Sequence, residues 1–261
     1  MRVYAIVSFA AHRRKITLLL FLFYCSPFFP LTRAQAPAAP ASQSCEERQS
    51  LATTSGEAVG GSKGAVPFEL KLELETVRAE SFPELGSKVV KTRTFRSSAD
   101  YFRARFSISR FLLWRPMHYF VEMNPQIAAT GPAPQSVCAI LAHELVHIAV
   151  MSHGNRLHLF GLVRLVSGGY TARFERSADL EAIRRGYGPG LASYREWVYK
   201  NIAADALPRK QRNYFSPEEI AAILRCSQAN HELFAYWKKH VPLNLEQIQS
   251  SAHVPQKRQG D

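Results

Sequence analysis

The segment His143-Glu144-Leu145-Val146-His147 constrains this chain more than any other, because it sets two metal-ligating side chains and a carboxylate on one apolar helix. Histidines four residues apart on an α-helix differ by only about 40° in direction and about 6 Å along the axis. Both imidazoles therefore leave the same face and can grip one ion, and Glu144, beside the first of them, can reach a water there. The flanks predict the helix. Val137, Ile140, Leu141, Leu145, Ile148 and Ala149 form its apolar background, Pro132 and Pro134 precede it, and Gly154 follows. The bland alternative is a buried amphipathic helix whose histidines are merely hydrogen-bonded.

The chain has 261 residues, 46% of them apolar, enough for one sizeable core. Its N-terminus reads as an export signal, set apart from the folded unit. His12, Arg13, Arg14 and Lys15 precede an apolar run from Ile16 to Cys25, no acidic residue occurs before Glu46, and Thr32-Arg33-Ala34 offers a small-residue cleavage site. The expectation is a signal peptide at 1–34 and an exported protein, periplasmic or secreted. The alternative is a membrane anchor formed by residues 16–31. Without residues 1–34 the formal charge falls from +12 to +7. The remaining basic residues are scattered, and no aromatic interleaving or nucleic-acid motif accompanies them, so no nucleic-acid partner is expected.

Residues 35–64 are rich in Ala, Pro, Ser, Gly and Thr and read as a flexible linker. Phe68, Leu70, Leu72 and Leu74 alternate with charged residues, which predicts a half-exposed strand. Residues 86–110 are polar, basic and without a readable period. Phe111 to Met123 predicts one or two strands broken at Pro116. Later segments read as helices: Arg156 to Ser167, broken at Gly168-Gly169; Thr171 to Arg185, stopped at Gly186; 191–203; 217–227, opened by the capping box Ser216-Pro217-Glu218-Glu219; and Glu232 to Lys239 as the last. Residues 250–261 read as a disordered tail, leaving 65–249 as the folded domain. Three cysteines follow the signal, Cys45, Cys138 and Cys226, and the sequence does not choose a pairing. Cys138 points away from the two histidines by helical phase and is excluded as a ligand.

A catalytic zinc needs a third protein ligand beside an open position. His153 stands where a third histidine would fall in the metzincin pattern, but Val150 occupies the position that there needs glycine, and a β-branched residue resists positive φ. The stronger candidate is Glu175. Glu175 and Asp179 lie four apart on one predicted helix face, with small Ala178 and Ala182 allowing close approach to the first helix. One carboxylate can complete the metal shell while the other orients a ligating imidazole.

His143-Glu144-x-x-His147 followed by Glu175-x-x-Ala178-Asp179 resembles the gluzincin branch of zinc metallopeptidases, over roughly residues 110–186. The resemblance implies Zn2+ held by His143, His147 and Glu175, with Asp179 supporting a ligating histidine and Glu144 as the general base. The implied fold class is α+β, mainly α: a zincin-like domain with a small N-terminal sheet packed on the active-site helix and further helices after it. The implied activity is hydrolysis of peptide bonds in a peptide or protein substrate. A strand within Phe111 to Asn124 is expected to serve as the edge that pairs with it. An oxyanion donor is also expected, with His158, Tyr170, Tyr187 and His231 as candidates. The rival reading is a catalytically idle, metal-binding interaction protein of the cell envelope.

Overall fold

The computed structural model describes residues 68–127, 131–153, 156, 159 and 167–252. The expected signal peptide and linker lie outside the described residues, as does nearly all of the helix expected at 156–167.

Phe68–Ser81 is a helix, α1, and not the expected strand. Period-two alternation suited both readings of Leu70 and Leu74. Residues 68–75, however, contain no β-branched residue and are built from Leu, Lys and Glu, which favour helix. The buried set is Leu70, Leu74 and Val77, spaced four and three, while Leu72 is 58% exposed. A 3-10 turn at Pro83–Leu85 follows.

Strands β1 (Val89–Thr94) and β2 (Phe102–Phe106) occupy the segment that had no readable period, followed by a short helix α2 (Ile108–Leu112) and strand β3 (His118–Met123). Phe111 thus closes a helix rather than opening a strand, because the Ser107 hydroxyl caps the turn at Arg110 N–H. The sheet order is β1-β3-β2, with β1 parallel and β2 antiparallel to β3. This overturns the expectation of an edge strand within 111–124: β3 is the centre of the sheet. Tyr119, Val121 and Met123 of β3 face the core. Phe120 and Glu122 face the other way and are buried too, under arginines. Arg93 lies 3.5 Å over the Phe120 ring, and Arg103 Nε donates to Glu122 at 2.6 Å.

Helix α3 (Pro134–Ser152) carries the two histidines and touches α1, β2 and the helices that follow. By length and composition it is apolar enough to cross a membrane, but most of it is buried inside the fold. Being enclosed on nearly every side explains its apolar circumference. Helix α4 (Gly168–Ala182) begins at the glycines that were expected to precede it. There the Ser167 carbonyl accepts from both the N–H and the hydroxyl of Thr171. A π-turn at Ile183–Tyr187, with Gly186 at φ 95°, leads into α5 (Gly188–Asn201). A Cβ on Gly190 would sit 2.3 Å from the Gln135 carbonyl, so the missing side chain is what lets α5 press on the start of α3.

Helix α6 (Leu207–Asn213) was not anticipated. Helix α7 (Pro217–Ala229) opens with the complete capping box, and its Glu219 also accepts from buried Arg176 of α4 at 2.9 Å. Helix α8 (Leu233–Lys239) is not the last: α9 (Leu245–Ser251) follows, and Trp237 Nε1 donates to buried Ser251 Oγ at 2.7 Å. The molecule is therefore mainly helical with one small sheet, an α+β arrangement. Cys138 is buried and disulfide-bonded while Cys226 is free, which excludes a bond between those two.

Candidate metal centre

Helices α3 and α4 pack against each other, and their small buried residues Ala142 and Ala178 leave room for polar side chains between them. Into that space project His143, His147 and Glu175, all nearly solvent-free. Their donor atoms form a tight triangle. His143 Nε2 and His147 Nε2 are 3.1 Å apart, Glu175 Oε2 is 3.1 Å from His147 Nε2, and it is 3.3 Å from His143 Nε2. Four-coordinate zinc with ligand bonds of roughly 2.0–2.1 Å requires edges of about 3.3–3.4 Å, so the triangle is close to one face of such a shell and slightly tighter on two of its edges.

The chemistry of the set agrees. Burial alone would raise the Glu175 carboxyl, but the two histidines outweigh it and hold Glu175 well below the carboxylate range, so it is ionised. Glu175 Oε1 and His147 Nδ1 are buried with no hydrogen-bond partner. Two imidazole nitrogens and an anionic oxygen converge with few protons to share among them, and a cation could supply what that arrangement lacks. Among the described residues this is the one group of three that could hold a metal ion.

Asp179 stands behind the triangle. Its Oδ1 lies 2.8 Å from His143 Nδ1 and accepts from Arg195 at 2.7 Å, while Oδ2 accepts from the Phe215 N–H at 3.1 Å. A carboxylate can only accept, so in the neutral imidazole this close contact favours the proton on Nδ1 and the Nε2 lone pair toward the triangle, although Nδ1 and Oδ1 are not aligned as a hydrogen bond. Burial pushes Asp179 up and Arg195, then His143, push it further down, leaving it ionised. For His143 the balance is reversed. Burial disfavours its charge, Asp179 and then Glu175 favour it more, and with no cation bound the imidazole is pushed up to about 9. His147 is held differently, by Phe174 of α4 stacked on its ring at 4.7 Å and 18°.

Glu144 lies on the other side of His143. It is buried, and among the described residues no hydrogen bond holds its carboxylate. Burial raises its pKa, and the neighbouring Glu175 charge adds to that against the pull of His143 and His147. It lines a cavity of about 10 Å³ with Tyr101, Phe102, Tyr194, Lys210 and Tyr214, room for about one water. Tyr214 is kept protonated by burial and by Glu175, with its ring 5.8 Å from His143.

Of the other residues considered from sequence, His153 caps the end of α3 outside the cluster. Tyr187 spends its hydroxyl on Ser81, 2.8 Å away, and Tyr170 stacks on Phe174. His231 is exposed in the turn before α8, and His158 is outside the described residues. Sequence reasoning missed Arg195, Phe174, Lys210 and Tyr214. Arg195 left a signal: it shares the apolar stripe of Leu191, Tyr194 and Val198, where an arginine needs a buried partner. A scan of protein-family models, a search of curated proteins and a search of solved structures each found no match.

Proposed function

We propose that this chain is an exported zinc peptidase of zincin-like architecture, with His143, His147 and Glu175 as ligands and Glu144 as general base. The observation that carries the reading is the triangle of three donor atoms at 3.1–3.3 Å, with Asp179 locked behind one of them. Zinc, when bound, supplies Lewis acidity toward a water and a scissile carbonyl. The chain supplies the rest. Glu144, destabilised as an anion by burial, takes a proton from the attacking water and delivers it to the leaving amine. Tyr214, a neutral phenol on the same cavity wall, is the hydroxyl placed to donate to the developing oxyanion. With β3 enclosed, β2 is the strand whose free edge beside α3 suits an extended peptide.

One observation favours the rival reading, an idle metal-binding protein: the cavity at Glu144 admits one water and no peptide. The two readings separate in one experiment. The full chain is assayed for zinc and for hydrolysis of a peptide library, beside Glu144→Gln. A peptidase loses about 10²–10⁴ in rate in the variant and keeps its zinc. Zinc without hydrolysis in the wild type selects the idle protein, and absence of zinc removes both.

A further inference from the structure

The turn after α2 holds the most exposed apolar side chains among the described residues. Leu112, Leu113 and Trp114 are 68%, 64% and 66% exposed, and Ile108, one helical turn before Leu112, is 42% exposed. Single exposed leucines are ordinary, but four large apolar side chains gathered at one tip are not.

The backbone of this tip is unusual as well. Trp114 N–H donates to the Phe111 carbonyl at 3.3 Å and Arg115 N–H to the Arg110 carbonyl at 2.9 Å. These two bonds are the Schellman pair that ends a helix, in which the donor of the inner bond takes the left-handed region. Trp114 sits there at φ 56°, the one described residue other than glycine with positive φ. Glycine takes that position without strain; a tryptophan does not. Strain at a solvent-facing indole is a reason to look for a use. Arg156, leaving the end of α3, braces the turn: its guanidinium donates to the Arg110 and Arg115 carbonyls and lies 5.2 Å over the indole.

The surroundings are cationic. No Asp or Glu occurs from Tyr101 to Val121, a stretch that contains Arg103, Arg105, Arg110 and Arg115. Lys91 and Arg93 of β1 share the outer sheet face with Arg103 and Arg105 of β2. The carboxylate of that face, Glu122, is taken up by Arg103 and Arg105.

We infer that Leu112, Leu113 and Trp114 are a docking tip for an anionic lipid bilayer. The three side chains enter the interfacial layer while Arg110, Arg115 and the cations of the sheet face meet lipid phosphates. A convex tip of three side chains is too small for a stable protein interface, which buries about 800 Å² per partner. It has the composition of an interfacial anchor: an indole and aliphatic side chains inside a ring of arginines. The inference uses nothing of the metal centre and stands or falls apart from the peptidase reading.

The test reads the tip itself, so that the apolar run near the N-terminus does not obscure it. The full chain is reconstituted into phosphatidylcholine vesicles with or without phosphatidylglycerol, using acyl-brominated lipids that quench nearby indoles. Trp114→Phe defines the background from Trp197 and Trp237. Trp114 fluorescence should be quenched in the phosphatidylglycerol vesicles. Leu112→Ser with Leu113→Ser should lower the docked-to-undocked ratio about tenfold or more, and Arg115→Glu about fivefold or more, with unchanged circular dichroism. Quenching no greater than in Trp114→Phe overturns the inference, and equal quenching without phosphatidylglycerol overturns the anionic preference. Doubling of mass in vesicle-free detergent, with Trp114 shielded from acrylamide, overturns it in favour of contact between two copies.

Discussion

The two sides of His143 are built on opposite principles. On the side of the ligand triangle both histidines have a second support: His143 rests on Asp179, Asp179 on Arg195 and the Phe215 N–H, and His147 on the Phe174 ring. On the side of the small cavity, Glu144 is buried without a hydrogen bond among the described residues, and its pKa is raised. A group that must hold a cation gains from being locked in one tautomer and one rotamer. A group that must accept and release a proton gains from weak solvation of its charged form. The contrast separates holding from reacting within one turn of α3, and substitutions on each side should fail differently.

The largest difference is expected between Glu175→Ala and Glu144→Gln. Loss of Glu175 leaves two imidazoles, fewer than the three protein ligands of a catalytic zinc site, so bound zinc after dialysis should fall from about one per chain to a small fraction. Glu144→Gln should retain about one, being outside the ligand set. Equal zinc loss in both would show that Glu144 belongs to the holding side.

Asp179→Ala tests the layer behind the ligands. Zinc affinity should fall about 10–100-fold. The cation-free protein should also lose about 3–5 kcal/mol, because Arg195 is left buried with no carboxylate. Guanidinium titration of the chelated protein, beside zinc titration, gives both numbers. Retention of zinc affinity alongside that stability loss would make Asp179 a fold residue only.

The same carboxylates predict how the chelated protein responds to pH. Glu175 and Asp179 titrate lower in the folded chain than unfolded. Their contribution is therefore present above pH ~4 and lost as pH falls through the depressed values. His143 is raised from 6.5 to about 9. Its contribution is present below 6.5 and lost as pH rises toward 9. Denaturation midpoints of the zinc-free chain should thus decline at both ends, and Asp179→Ala should flatten both limbs. A midpoint that still climbs from pH 7 to 9 would contradict the assigned pairing.

Much of the holding side could be read from letters, and little of the reacting side could. The spacings His143 to His147 and Glu175 to Asp179 are local, so helical geometry alone sets each pair on one face. The two pairs then need only one meeting of helices, which the small residues of α4 permit. The partners Arg195, Phe215 and Tyr214 come from 16 to 36 residues beyond Asp179, and Arg195 arrives on α5, which Gly190 lets approach α3. The sheet was harder. On the outward face of its central strand Phe120 stands between polar His118 and Glu122, and burial there comes from arginines of β1 and β2 lying over Phe120 and Glu122, which no local pattern announces. In α1, the apolar alternation at 70, 72 and 74 fitted period two, and only burial of Val77 with exposure of Leu72 reveals the helix.

The smallest effect is expected at the wall that closes the cavity. Asp100, in the turn before β2, accepts from Lys210 of α6 at 2.7 Å. Next to it the Tyr101 hydroxyl donates to the Asn201 carbonyl at 2.7 Å, with its ring edge-on to Trp197 at 4.6 Å. These contacts join the sheet side to the helical side across Glu144. In the proposed peptidase a peptide reaches Glu144 only when this wall moves, so the wall would set access while the ligands set affinity. Lys210→Met removes one half-screened ion pair and should lower stability by about 1 kcal/mol. It should leave zinc affinity unchanged and raise kcat/KM for long peptides more than for dipeptides, because the longer chain needs the wider opening. A uniform fall in rate for both lengths would instead place Lys210 among the groups that act on the reacting atoms, as its position 4.9 Å over the Tyr214 ring would allow.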